Sequence, residues 1–233
     1  MTSEKDFYIR HYEKVQSNIE SNFSMEYKQK GSRYFCIYDF LKEPSKFSAI
    51  EWGGGPLAKM TYLSSLFNEF CVVDVAAPML VKNEQVNVDS IPFDLFEYNL
   101  NENLPFKDIS FDVVIAMMVI EHLFDPFHSF REAARITKKE GVIFINLPIV
   151  TSIKNRLRLL FGKLPQTSSR SWEELEEWDG GHLHYFTIDK VKWLGEKYGL
   201  TLVKIYPVGK YFGLKKLFPS IFCNEVSFVF VKN

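Results

Sequence analysis

Short apolar runs alternate with segments of helical spacing along most of this chain of 233 residues. The runs are typical of buried strands, whereas the segments between them place apolar residues three or four positions apart, as one face of a helix requires. Strands are predicted for 48–51, 70–74, 94–100, 111–119 and 142–148, and helices for 57–67, 126–137 and 188–198. This alternation favours a doubly wound α/β fold with a mostly parallel sheet.

Two further regions flank this alternating core. Apolar residues at roughly helical spacing fill much of 7–41, which predicts two helices ahead of the first strand. Near the other end, 201–208 and 225–232 are predicted to pair as a hairpin at the sheet edge. Within the core, the third and fourth strands are both largely apolar, so we expect both to be buried.

The first strand ends in an acid and then breaks into three glycines, in the segment SAIEWGGGPL. Gly53 and Gly55 permit tight backbone angles and let a ligand approach the main chain. With Ala58 they match the pattern G-x-G-x-x-G/A, which alone does not separate nicotinamide or flavin folds from other nucleoside binders. Asp74 follows about twenty residues later, where an acid at a strand tip can hold both ribose hydroxyls.

Composition excludes several classes of protein. The formal net charge of −1 gives no basic field for nonspecific nucleic-acid binding. The three cysteines have no C-x-x-C spacing, which indicates reduced thiols, and the Asp and His residues lack compact ligand spacing, so no metal is predicted. The charged start of the chain does not resemble a signal peptide, and no apolar run is long enough for stable membrane insertion. The sequence therefore predicts a cytoplasmic protein.

Four segments, in order, carry a family resemblance: IEWGGG, VDVAAPML, LPFKDISFDVV and VIEHLFDP. With them the chain resembles the class I S-adenosylmethionine-dependent methyltransferases, particularly the small-molecule branch. The resemblance implies one methyltransferase domain over 1–233, with a Rossmann-like sheet of seven strands that ends in an antiparallel hairpin. It divides into an N-terminal helical cap (1–45), a cofactor-binding core (46–150), an acceptor-site insertion (151–186) and a C-terminal helix and hairpin (187–233).

The resemblance also implies S-adenosyl-L-methionine as cofactor and assigns residues to it. The glycines would pass under its methionine part, Glu51 would order the turn and the amino group, and Asp74 would hold the ribose. Asn99, where the family often has an acid, would contact adenine with the Leu100 backbone. The implied cofactor-binding set is Glu51, Gly53, Gly54, Gly55, Asp74, Val75, Met79, Asn99, Leu100 and Met117.

Three histidines are candidates for a general base, which the transfer needs if the acceptor is a hydroxyl. His122 follows the fourth strand at the carboxyl edge of the sheet, where ligands bind, and is the first choice. His182 and His184, in the segment GGHLHYF, are the second. The structural alternatives are that His122 orders its own loop and that the other two close a loop over the core.

The acceptor is open at this stage. The resemblance favours O-methylation of a small molecule such as a sugar, a nucleotide-sugar or a lipid-linked glycan precursor, as in polysaccharide biosynthesis. The basic segment 154–163 is read either as a plain surface helix or as a contact for an anionic or lipid-linked acceptor. An NAD(P)-dependent oxidoreductase and a noncatalytic S-adenosylmethionine-binding regulatory protein are the alternative functions, and a homodimer is left open.

Overall fold

A seven-stranded sheet runs through the computed structural model, which describes residues 6, 8, 9, 27–55, 57–77, 91–169 and 176–233. The strand order is β3-β2-β1-β4-β5-β7-β6. The strands are β1 (Ser48–Trp52), β2 (Glu69–Asp74), β3 (Asp94–Glu97), β4 (Phe111–Met117), β5 (Thr137–Pro148), β6 (Leu200–Pro207) and β7 (Glu225–Lys232).

Helices cover both faces of the sheet. Within the described residues they are α1 (Phe35–Phe40), α2 (Leu57–Ser64), α3 (Pro126–Ile136), α4 (Ile153–Leu160), α5 (Ile188–Lys197), α6 (Phe212–Leu217) and α7 (Pro219–Phe222). Short 3₁₀ turns lie at Pro44–Lys46, Ile120–His122 and Trp178–Gly181. None of the helices in the described part of the chain is long and apolar enough to cross a bilayer.

The topology confirms the predicted Rossmann-like fold. Strands β1 to β5 pair in parallel, and β7 is antiparallel to both β5 and β6, so the C-terminal antiparallel pair is present. The strand order reverses between β1 and β4, which have consecutive places in the sheet but not in the chain. In doubly wound sheets a ligand crevice opens at this switch point, outside the carboxyl ends of the strands.

Each face of the sheet has its own apolar core. Helices α1 and α2 pack on one face and α3 and α5 on the other. Phe130 of α3 meets the edge of Phe230 of β7, with ring centroids 6.1 Å apart. Helix α5 approaches so closely that a Cβ on Gly195 would lie 2.3 Å from Cε1 of Phe230. Burial of these rings fixes the helices that lead into the site.

Local chemistry explains where α3 and α5 begin. The Asp125 side chain accepts a hydrogen bond from the Phe127 N–H at 2.8 Å, and Pro126 occupies the first turn of α3. Thr187 caps α5 by accepting from the Lys190 N–H at 3.3 Å. Both helices were predicted to within one residue at each end.

The prediction that β3 is buried was wrong. β3 covers only Asp94–Glu97, and it lies at the edge of the sheet with most of its residues exposed. An edge strand has a neighbour on one side only, and β3 pairs with β2 alone. The apolar residues of β3 therefore do not imply that the strand is buried on both faces.

Other boundaries shift for local reasons. β4 ends at Met117 because Met118 has a φ of 58°, which turns the chain out of the strand. β5 begins at Thr137, earlier than predicted, and a register irregularity against β4 accommodates the extra residues. Helix α2 ends at Ser64 rather than at residue 67. Of the predicted N-terminal helices, α1 is described, and most of 7–26 lies outside the described residues.

Candidate functional site

The glycine turn leaves β1 at the switch point. Gly53 and Gly55 have φ of 72° and 74°, in the left-handed region that favours glycine. The Gly53 N–H donates to the Val73 carbonyl at 2.9 Å, which ties the turn to β2. A Cβ on Gly53 would lie 3.0 Å from Cγ2 of Val119, so the turn lies directly against the loop that follows β4.

Asp74, at the end of β2, fastens this turn. One carboxylate oxygen accepts from the Gly54 N–H at 2.8 Å and the other from the Ala76 N–H at 2.7 Å. Burial raises the pKa of Asp74, opposed by these two backbone hydrogen bonds. A carboxylate has about four acceptor positions, so each oxygen can accept a second donor such as a hydroxyl.

Glu51 is fully buried beneath the turn. Its Oε1 accepts from the Tyr34 hydroxyl at 2.9 Å and from Lys59 Nζ at 2.8 Å, whereas Oε2 has no hydrogen-bond partner among the described residues. Burial raises the pKa of Glu51, and the charge of Lys59 opposes this effect. The site thus combines a half-satisfied carboxylate with an ammonium group at the entrance to α2.

Lys59 is a functional candidate that the sequence analysis missed. It lies in the first turn of α2, where the helix dipole disfavours a cation and no acidic side chain is present. A lysine in such a position signals a compensating anion nearby, which here is Glu51. A Cβ on Gly55 would lie 3.1 Å from Lys59 Nζ, so the lysine also borders the glycine turn.

The remaining cofactor candidates differ in their exposure. Leu100 and Met117 are buried and Val75 is half-buried, while Met79 lies outside the described residues. Asn99 follows β3, and its amide oxygen accepts from the backbone and side-chain nitrogens of Asn101 at 3.0 and 3.1 Å. An adenine contact by Asn99 stays a prediction, and this oxygen would have to serve three donors.

The loop after β4 carries a buried acid. Met118 adopts its left-handed backbone, and the 3₁₀ turn Ile120–His122 follows. Glu121 is fully buried, and neither of its carboxylate oxygens has a hydrogen-bond partner within the described part of the chain. Burial raises its pKa to about 8. This acid lies beside His122 in the chain and was not among the predicted site residues.

Residues 181–184, in a loop late in the chain, pack along residues 121–124 and are held there by three hydrogen bonds. His122 Nδ1 is 3.0 Å from the Gly181 carbonyl, the Leu183 N–H donates to the Glu121 carbonyl at 2.8 Å, and His184 Nε2 is 3.2 Å from the Phe124 carbonyl. We call this pairing of 181–184 with 121–124 the loop seam. It brings the distant histidines of the sequence analysis to one place.

Within the seam, His122 and His182 meet ring to ring. Their centroids are 4.8 Å apart at an interplanar angle of 74°. His182 is buried and its Nδ1 lies 2.7 Å from the Thr167 hydroxyl, which donates to Asp179 at 2.5 Å. His184 instead contacts the Phe124 carbonyl through Nε2. The geometry therefore joins two of the three predicted histidines, with Thr167 and Asp179 as supports.

Comparisons with known proteins match these features. A family model described as "Methyltransferase domain" matches residues 50–145. Two probable S-adenosylmethionine-dependent methyltransferases of Mycobacterium tuberculosis, from strains CDC 1551 and H37Rv, are 40% identical over 55 residues. These residues are 24% of this chain and 20% of each relative, so the match spans about a fifth of the relatives' length.

Solved structures share the fold. A possible histamine N-methyltransferase from Thermotoga maritima has a TM-score of 0.60 at 16% identity, covering 97% of both chains. The putative methyltransferase from the Haloferax volcanii complex with the Trm112 activator has a TM-score of 0.61 at 14% identity, covering 92% of this chain and 99% of that one. The family match lies over the glycine turn, Asp74 and β4, so the methyltransferase-domain model covers the strands and the turn of the candidate site, and this match and the curated relatives imply S-adenosylmethionine as the cofactor.

Proposed function

We propose that this protein transfers a methyl group from S-adenosylmethionine to a hydroxyl oxygen of a small-molecule acceptor. The observation that carries the proposal is the His122–His182 pair at the carboxyl edge of the sheet. His122 lies in the loop that begins with Val119, the residue whose Cγ2 would be 3.0 Å from a Cβ on Gly53 of the glycine turn. An imidazole titrates near neutral pH and is therefore suited to removing a proton from a hydroxyl.

The cofactor cradle fits this role. When bound, S-adenosylmethionine supplies an activated methyl group on a sulfonium. Glu51 Oε2, buried without a partner among the described residues, would accept a hydrogen bond from the amino group of the cofactor's methionine part. Lys59, which pairs with Glu51 Oε1, would neutralise the carboxylate of that methionine part. Asp74 would accept from the ribose hydroxyls, and the glycines would leave room for the methionine arm. Val75, Met79, Asn99 and Leu100 would complete the adenosine side, and Met117 would line the methionine arm through its backbone.

His122 is the proposed base. The Gly181 carbonyl can only accept, so His122 Nδ1 carries the proton and the lone pair lies on Nε2. Nε2 would take the proton that the acceptor hydroxyl loses on methylation. Positioning and exclusion of water supply the rest of the rate enhancement, because the methyl donor is already activated.

The acceptor class is proposed from two surface segments. No acidic residue occurs between Glu140 and Glu173 or between Glu196 and Glu225, although both stretches contain several lysines or arginines. Helices α4 and α6 lie in these stretches and expose large apolar side chains, with Leu160, Phe161 and Tyr211 more than 70% exposed. Helix α4 follows β5 and helix α6 follows β6, and both strands run in the same direction as β1, so both helices begin beyond the edge of the sheet at which the glycine turn lies. Cationic and apolar groups at the site edge suit a lipid-linked, phosphate-bearing sugar.

An acceptor screen tests the proposal. Formation of S-adenosylhomocysteine would be followed with free sugars, nucleotide-sugars and lipid-linked sugar pyrophosphates, and products would be located by mass spectrometry. We expect an O-methylated product, and His122→Asn should lower kcat about 10²-fold or more. His128→Asn is the matched control, because His128 is buried in α3 against the Glu102 carbonyl. Methylation on nitrogen, or cofactor binding without turnover of any acceptor, would contradict the proposal.

A further inference from the structure

The loop seam gathers three groups with metal-ligand chemistry. Glu121, His122 and His182 each offer one ligand atom, and these atoms all lie within 4.8 Å of one another. Their spacing along the chain gives no sign of this, because His182 reaches the others only through the seam. A carboxylate and two imidazoles are a donor set that divalent transition metals and zinc accept.

Glu121 points to a missing partner. A buried carboxylate with neither oxygen hydrogen-bonded is costly, and native proteins rarely leave such a group unsatisfied. The charge of Arg33 lowers the pKa of Glu121, but its guanidinium pairs with Glu225 at 3.0 Å, and the charge of Glu225 acts in the opposite direction. Among the described residues Glu121 therefore has no direct partner for its carboxylate, and a cation would compensate it.

Both imidazoles are oriented in the way metal ligands are. His122 directs Nδ1 at the Gly181 carbonyl, which leaves its lone pair on Nε2. The single proton of the Thr167 hydroxyl goes to Asp179, so His182 Nδ1 is the donor to Thr167 and its lone pair also lies on Nε2. Metal-ligating histidines typically donate their other ring N–H to a carbonyl or, directly or through a relay, to a carboxylate.

We propose that Glu121, His122 and His182 bind one divalent cation, with Zn²⁺ or Mn²⁺ as the candidates. Three protein ligands leave at least one coordination position open. Metal–ligand distances of about 2.0 to 2.2 Å place tetrahedral ligand atoms about 3.4 Å apart, so the widest pair closes by about 1.4 Å, within the reach of side-chain rotation.

The role of the cation rests on the proposed function. The open position would take the acceptor hydroxyl, and a neighbouring hydroxyl of a vicinal diol could complete the chelate. Coordination lowers the pKa of the hydroxyl, so with the cation bound its proton would leave to solvent water, and His122 would act as a ligand in place of the general-base role proposed for the metal-free site. Cation binding itself requires no acceptor and can be tested alone.

Calorimetric titration of chelator-treated, tag-free protein with Zn²⁺ and with Mn²⁺ tests the site. We expect one saturable ion per chain. Glu121→Gln and His182→Asn should abolish it. Thr167→Val removes the hydroxyl that links His182 to Asp179, without removing a ligand, and should weaken it about 10- to 100-fold. His128→Asn should bind as the wild type does. Retained binding of S-adenosylhomocysteine would show that each variant is folded.

The outcomes separate this inference from the proposed function. The metal site would be overturned if neither ion showed saturable binding. It would also be overturned if the Glu121→Gln and His182→Asn variants bound the ion as tightly as the wild type does. Undiminished O-methylation in excess chelator would overturn the catalytic role of the cation while leaving O-methyl transfer in place. Loss of turnover on chelation, with recovery on adding back the ion, would support both.

Discussion

Replacing Asp74 separates its two roles, which are to hold the glycine turn and to receive the cofactor's ribose. In Asp74→Ala the buried N–H groups of Gly54 and Ala76 both lose their acceptor. Each unsatisfied donor costs about 1–3 kcal/mol, so we expect the free energy of unfolding to fall by about 4 kcal/mol. For a chain of this size that lowers Tm by roughly 8–16 °C.

Asp74→Asn has a different profile. The amide loses one charge-assisted hydrogen bond, worth about 1.5–3 kcal/mol, but it also removes the burial cost that raises the pKa of Asp74. These changes nearly cancel, so the free energy of unfolding should stay within about 1 kcal/mol of the wild type. Affinity for S-adenosylhomocysteine should fall about 10- to 100-fold, because one ribose hydroxyl loses its carboxylate acceptor.

Thermal unfolding and calorimetric titration with S-adenosylhomocysteine measure both quantities. Asp94→Asn is the matched control, since Asp94 is an exposed acid on β3 that pairs with Cys71, away from the tip of β2. It should change neither Tm nor affinity. If Asp74→Asn bound S-adenosylhomocysteine within about twofold of the wild type, the ribose assignment would be refuted.

Four further predictions follow from the same site and core. Wild-type affinity for S-adenosylhomocysteine should fall as the pH is lowered below neutral toward the raised pKa of Asp74, because protonation removes an acceptor from this carboxylate; titration calorimetry of Asp74→Asn should show a flatter profile. Lys59→Met should weaken binding of S-adenosylhomocysteine more than that of 5′-methylthioadenosine, which lacks the amino-acid end; equal losses in calorimetry would refute the assignment. Gly53→Ala should cost about 1–2 kcal/mol in backbone strain and lower cofactor affinity, whereas Gly199→Ala, also at positive φ but in open space, should show only the loss in unfolding free energy. Gly195→Ala should lower Tm despite alanine's better helix propensity, because its Cβ meets Phe230; an unchanged or higher Tm would show that α5 can shift.

The fold was predictable because its signals are local. Apolar runs, helical spacing and the glycine break each lie within a few residues, and the parallel core follows from their alternation. The position of a strand in the sheet is not local, which is why the edge strand β3 was expected to be buried. The division into cap, core, insertion and hairpin stays a prediction.

The site was predictable only in part, for the same physical reason. The glycine turn and Asp74 come together because adjacent parallel strands end at one edge. Glu121, His182 and Thr167 meet only after the late loop has paired with the β4 loop, and no period in the sequence encodes that pairing. The roles of the cofactor-binding candidates stay predictions, and Met79 lies outside the described residues.

The loop seam has a consequence for how such a protein could change its acceptor. All three of its hydrogen bonds end on main-chain carbonyls, those of Gly181, Glu121 and Phe124. The side chain of Leu183 takes no part in them, and its backbone N–H would be present with almost any residue there. New acceptor specificities could therefore arise by substitution at Leu183 while the docking of the late loop, and the cofactor cradle beyond Val119, are inherited unchanged.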